Sequence, residues 1–133
     1  MKQLSIHTGK HKEIVDITDQ VNEYPRQVKA ENGFCHVFVL HTTCCITTAD
    51  LDPGTDEDLL DALEKMFPKG HYRHPHDPSH VGEHIMSSLI GPSVTVPVEN
   101  GEVALGTWQR IVLVELSGPR TRNLRVAFIP IQR

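Results

Sequence analysis

At 133 residues, 38% hydrophobic and 23% charged, the chain is long enough for one domain with a real core. Its composition is too ordinary for a fibrous or disordered protein. The formal charge is −4 with neutral histidines and passes to +5 when all nine are protonated, so the lasting basic footprint of a nucleic-acid binder is missing.

No apolar run approaches the ~20 residues that span a bilayer, and residues 1–7 lack the apolar stretch of a secretory leader. No membrane partner is expected. Cys35, Cys44 and Cys45 are odd in number, without a C-x-x-C spacing. They argue against a disulfide framework and fit a reducing cytoplasm. Neighbouring strand residues face opposite ways, so Cys44 and Cys45 are poorly placed to share a metal.

Leu4–His7 alternates apolar and polar and reads as a first strand. Glu13–Ile17 reads as a second, with Gly9-Lys10 between them as a hairpin turn. Thr18 or Asp19 can cap a helix to about Val28, kinked or broken at Pro25. Phe34–Leu40 is the strongest strand. Phe34, His36, Phe38 and Leu40 share one face, while Cys35, Val37, Val39 and His41 share the other. Both faces are largely apolar, which predicts a central strand buried on both sides. His41 ends the second row and reads either as a core histidine or as a ligand. Thr42–Thr48 continues extended.

Asp52-Pro53-Gly54 is a turn, and Thr55 or Asp56 can cap a helix over about 57–66. Its apolar stripe is Leu59, Leu60, Leu63 and Phe67. The acids here suit a first helical turn. Asp50 stands apart, just past a strand, as a candidate carboxylate ligand or general base. Asp77 and Pro78 open a third helix, to about Leu89. Val81, Ile85, Met86 and Leu89 should face the core, with His80, His84, Ser87 and Ser88 opposite. His80 and His84 are spaced to meet one ion or to line a polar outer face.

Ser93–Val98 is a strand whose Pro97 implies an edge or bulge. Asn100-Gly101 is a hairpin turn, and Glu102–Leu105 starts the return. Gly106 marks a bulge or close approach. Thr107–Leu116 reads as one long strand through Trp108. After Ser117-Gly118-Pro119 turns the chain, Leu124–Ile129 is the last strand. Arg120, Arg122 and Arg125 beside it suit a phosphate or carboxylate, or serve only as soluble surface. Seven or eight strands without βαβ alternation, and two or three short helices, predict an α+β, mainly antiparallel β-sandwich-like single domain.

Five of the nine histidines fall within His71–His84. Imidazole binds first-row metals and moves protons near neutrality. The stretch reads as one wall of a polar, metal-binding site, or as a solvated His-rich loop.

Several pieces occur together in order: His41-Thr42-Thr43, Tyr72-x-His74, His84-x-x-Ser87-Ser88, Gly106-Thr107-Trp108-Gln109 and Glu115-x-x-Gly118-Pro119-Arg120-x-Arg122. Over about residues 3–130 the chain resembles the YjbQ-like family, identified with secondary thiamine-phosphate synthase. The resemblance implies a YjbQ-like fold and a homotrimer with a site near subunit boundaries. It implies His41, His74 and His84 as metal ligands. Asp50, Gln109 and Arg120 would be catalytic residues lining the same pocket, with Trp108 packed beside it. The chain departs from the family pattern in two places. Thr48-Ala49-Asp50-Leu51-Asp52 stands where an Asn-Glu pair is common, and His76 and His80 stand between the aligned histidines.

The implied activity couples a pyrimidine pyrophosphate to a thiazole phosphate, giving thiamine phosphate and pyrophosphate. Three imidazoles favour zinc over magnesium, whereas pyrophosphate chemistry usually employs magnesium on carboxylates. Two other readings stand beside it. One is a metal-dependent hydrolase of a small phosphorylated or anionic substrate, and the other is a non-catalytic trimer that binds a small ligand or metal.

Overall fold

Period-two burial along the strands shapes the molecule. In the computed structural model, which describes residues 1–67 and 81–131, the strands are β1 (Lys2–His7), β2 (Glu13–Asp16), β3 (Gly33–Val39), β4 (Cys44–Ala49), β5 (Ser93–Glu99), β6 (Glu102–Val103), β7 (Arg110–Glu115) and β8 (Thr121–Pro130). The helices are α1 (Thr18–Gln27), α2 (Thr55–Met66) and α3 (Val81–Ile90). Two antiparallel sheets form, in the orders β1-β8-β3-β5-β6 and β2-β7-β4. This is the expected α+β sandwich.

The main core lies between the sheets. Cys35, Val37 and Val39 of β3, with Leu124 and Val126 of β8, meet Cys44 and Ile46 of β4 and Ile111 and Leu113 of β7. Each such aliphatic side chain, buried fully, contributes roughly 1.5–3 kcal/mol. The opposite phase of the small sheet builds a second core, where Cys45, Val112, Val114 and Leu116 are covered by Leu63 of α2 and Met86 of α3. Adjacent cysteines on β4 therefore enter different interiors, as the alternation of a strand requires. No helix among the described residues is long and apolar enough to cross a membrane.

Several expectations change. β1 and β2 are not a hairpin but belong to different sheets. Residues 8–12 cross between the sheets, pinned by Gly118 N–H to His11 O (2.9 Å) and Thr8 N–H to Arg120 O (2.9 Å). Glu13 Oε1 takes the Gly9 and Lys10 amides. β3 is central in its sheet, but only its Cys35 row is buried, and Phe34 and Phe38 remain 41% and 38% exposed. The helix α1 continues through Pro25, which sits in the last turn, so the N–H that proline lacks is missing only near the helix end. Gly54, at φ 89°, stands at the α2 N-cap instead of Thr55 or Asp56. Thr107 and Trp108 form a turn, and β7 begins only at Arg110. The face of α3 is also rotated from the one expected, with Met86 and Ser87 buried and Leu89 open to solvent. The proposed cap, Asp77-Pro78, lies outside the described residues.

Candidate functional site

At one end of the sandwich, the inward phases of β7 and β8 carry Glu115 and Arg122 in place of aliphatic residues. Both are fully buried. Arg122 Nε donates to Glu115 Oε2 (2.7 Å), and its NH2 group donates to Oε1. The carboxylate also accepts from the Thr8 hydroxyl (2.9 Å) and the Ser117 amide (3.0 Å). Arg122 extends its reach to the Thr43 hydroxyl (2.9 Å) and carbonyl (3.0 Å). Burial pushes the Glu115 carboxyl up, but the bonds from Arg122, Ser117 and Thr8 outweigh it and hold the group below the usual range. Arg122 is thus a structural cation and is not available to a ligand.

His41 stands just outside this pair. Its Nε2 accepts the Asn123 amide at 2.9 Å. Burial lowers its basicity, the Arg122 and Arg120 guanidiniums lower it further, and Glu115 pulls the other way. Arg120 is exposed, with Nε held by Ser117 O (2.7 Å). His84 of α3 leans on the same segment, with Nδ1 donating to Thr42 O at 3.2 Å. His41, His84 and Arg120 therefore gather at one corner. Arg125 Nη1 donates to its neighbour's carbonyl, Leu124 O (3.1 Å).

Asp50 and Gln109 are elsewhere. β4 runs from Cys44 beside Glu115 to Ala49 beside Arg110. Its six residues place Asp50 about 20 Å from that corner. Asp50 Oδ1 accepts the Asp52 amide (2.9 Å). Gln109 Oε1 accepts the Gly106 amide (2.8 Å), closing the turn that leaves Trp108 two-thirds exposed. At this end Arg110 is paired with Asp16 (2.7 Å).

His74, with His71, His76 and His80, lies outside the described residues. Among the described residues no three His, Cys, Asp or Glu side chains form a metal cage. The His41 ring as held does not fit a metal ligand, because its Nε2 lone pair is occupied and Nδ1 then carries the proton.

Sequence reasoning missed Thr8, Asn123 and the inward role of Glu115. It also missed that Ser87 Oγ and Glu83 Oε2 are buried without partners among the described residues. The alternation Arg122, Leu124, Val126 was the signal that could have separated Arg122 from Arg125.

A family model described as UPF0047 protein YjbQ-like matches residues 2–131. A UPF0047 protein of Archaeoglobus fulgidus is 43% identical over 125 residues, covering 93% of this chain and 97% of that protein. The UPF0047 protein YugU of Bacillus subtilis is 37% identical over 124 residues, covering 92% and 94%. A crystal structure of a YbjQ-like protein from Sulfolobus solfataricus superposes with a TM-score of 0.91 at 32% identity, covering 98% of this chain and 96% of that one.

Proposed function

Because the chain belongs to the UPF0047 YjbQ-like family, we propose that it is an enzyme of the secondary thiamine-phosphate synthase type, acting on small phosphorylated substrates at the His41–Arg120 corner. The thiazole nitrogen would form a bond to the pyrimidine methylene as the carbon–oxygen bond to pyrophosphate breaks. Pyrophosphate leaves with the electron pair. The observation that carries this reading is Arg120, exposed beside His41, with no carboxylate partner among the described residues. Its charge suits the departing pyrophosphate.

The divalent ion, zinc before magnesium, belongs to the same proposal through His84 and His74. A homotrimer is part of the reading too, and the exposed Phe34, Phe38, Leu40 and Ile129 support it. With Asp50 and Gln109 at the far end of β4, a neighbouring subunit is the route by which they would join the corner.

Thiamine phosphate formation by wild type, Arg120→Ala and His41→Ala tests the proposal, with metal analysis of untagged protein. A rate unchanged in both variants sinks it. Hydrolysis of simple phosphoesters without synthesis would favour the hydrolase.

A further inference from the structure

The imidazole of His41 does the work of a backbone carbonyl. β3 ends at Val39, yet its ladder with β8 runs on. Leu40 N–H donates to Asn123 O at 3.1 Å, and Asn123 N–H donates back to His41 Nε2 at 2.9 Å. A backbone N–H can only donate, so Nε2 is the bare nitrogen. In the neutral ring the proton then sits on Nδ1. Reversing the tautomer would set N–H against N–H and leave the Asn123 amide orphaned, an unfavourable exchange.

Nδ1–H has no partner among the described residues. Arg120 is fixed through Nε to Ser117 O, which leaves the terminal amino groups of its fork unused among the described residues. Behind them, Arg122 is already neutralised by Glu115. The corner therefore offers N–H donors and one uncompensated positive charge, a set that matches phosphate oxygens.

We infer that His41 serves this protein as a hydrogen-bond donor, through Nδ1–H, to an anionic oxygen of a phosphorylated ligand whose charge Arg120 balances, and that it is not a metal ligand. The inference deepens the proposed function and rests on its reading of the ligand as phosphorylated. His41 is a positioning group for the pyrophosphate moiety, and its ladder bond to Asn123 fixes the direction of the donor.

The test uses the full chain and inorganic pyrophosphate, titrated calorimetrically into wild type, His41→Gln, His41→Leu and Arg120→Ala. The metal content of each protein is measured in parallel. A glutamine amide can accept from Asn123 and still donate an N–H, so His41→Gln should bind within a few-fold of wild type. His41→Leu and Arg120→Ala should each weaken binding by roughly ten- to a hundredfold, the scale of a hydrogen bond to a charged group. Metal content should match wild type in every variant. Independently of any variant's folding, a long-range nitrogen NMR spectrum of wild type should show His41 protonated at Nδ1 and bare at Nε2.

The opposite tautomer, metal lost with His41→Gln, unchanged affinity in His41→Leu, or no pyrophosphate binding by wild type would each overturn the inference. Pyrophosphate binding through His41 and Arg120 without thiamine phosphate formation would leave it standing while the proposed reaction fails. Synthesis with normal pyrophosphate affinity in His41→Leu would do the reverse.

Discussion

Arg122 reaches from one sheet across the sandwich interior to Glu115 on the other, and neither side chain touches solvent. Removing one partner strands a buried charge, which costs roughly 3–5 kcal/mol. Arg122→Met and Glu115→Leu should each lose stability on that scale in urea melts. The double variant should recover part of it, because two apolar groups leave nothing uncompensated. Additive losses would show that the pair is not coupled.

The same pair sets an acid limit. Glu115 is held below its ordinary value of 4.5 by its hydrogen bonds, despite burial. Its contribution is complete above that value and is lost as pH falls through the lower folded-state one. Stability against urea should therefore drop below about pH 4.5, and the drop should be smaller in the double variant.

His41 adds a step nearer neutrality. Its folded-state pKa is depressed from 6.5, first by burial and then by the neighbouring arginines. The unfolded chain takes up the proton first, so this contribution is present above 6.5 and lost as pH falls through the folded value. An NMR titration should place the His41 midpoint below 6.5, and Arg120→Ala should raise it. A midpoint at or above 6.5 would contradict the placement of the ring.

Gly118 has no room for a side chain. A Cβ there would lie 2.3 Å from Lys10 O and 2.9 Å from both Glu115 Cγ and Thr8 Oγ1. Backbone cannot yield as a flexible side chain does, so Gly118→Ala should destabilise by about 1–3 kcal/mol. It should also weaken the Arg120 corner, since Thr8 Oγ1 accepts the Arg120 amide (2.9 Å). Thermal melts and pyrophosphate titration would check both effects.

Phe38 lies on the outer face of the five-stranded sheet. If the proposed trimer forms through that face, Phe38→Glu should shift light-scattering mass from trimer to monomer while leaving the circular dichroism of the fold intact. An unchanged mass would put the subunit contact elsewhere.

The strands were legible because alternation is a local property. Which apolar row faces the core is not local. The Phe34 row and the Cys35 row of β3 look equally buriable, and only the second sheet decides between them. Gly9-Lys10 looks like a hairpin turn until Gly118, more than a hundred residues on, draws that loop across to the other sheet. The three arginines near position 122 are chemically alike, but strand phase sends Arg122 inward beside Leu124 and Arg125 to the other face, while Arg120 lies in the turn before β8 begins. His41 was legible as the end of a buried row. Its tautomer was not, because the amide that fixes it comes from Asn123. Asp50 and Gln109 were grouped with His41 by motif, while strand length sets them apart.

Cys44 and Cys45 make the chain its own two-channel reporter. Burial raises both thiols to about 12, so neither should react with a maleimide near neutral pH while its layer stays closed. In increasing denaturant, Cys45 labelling ahead of Cys44 would mean that the helices peel away before the sheets part. Simultaneous labelling would mean that the whole molecule opens as one cooperative unit.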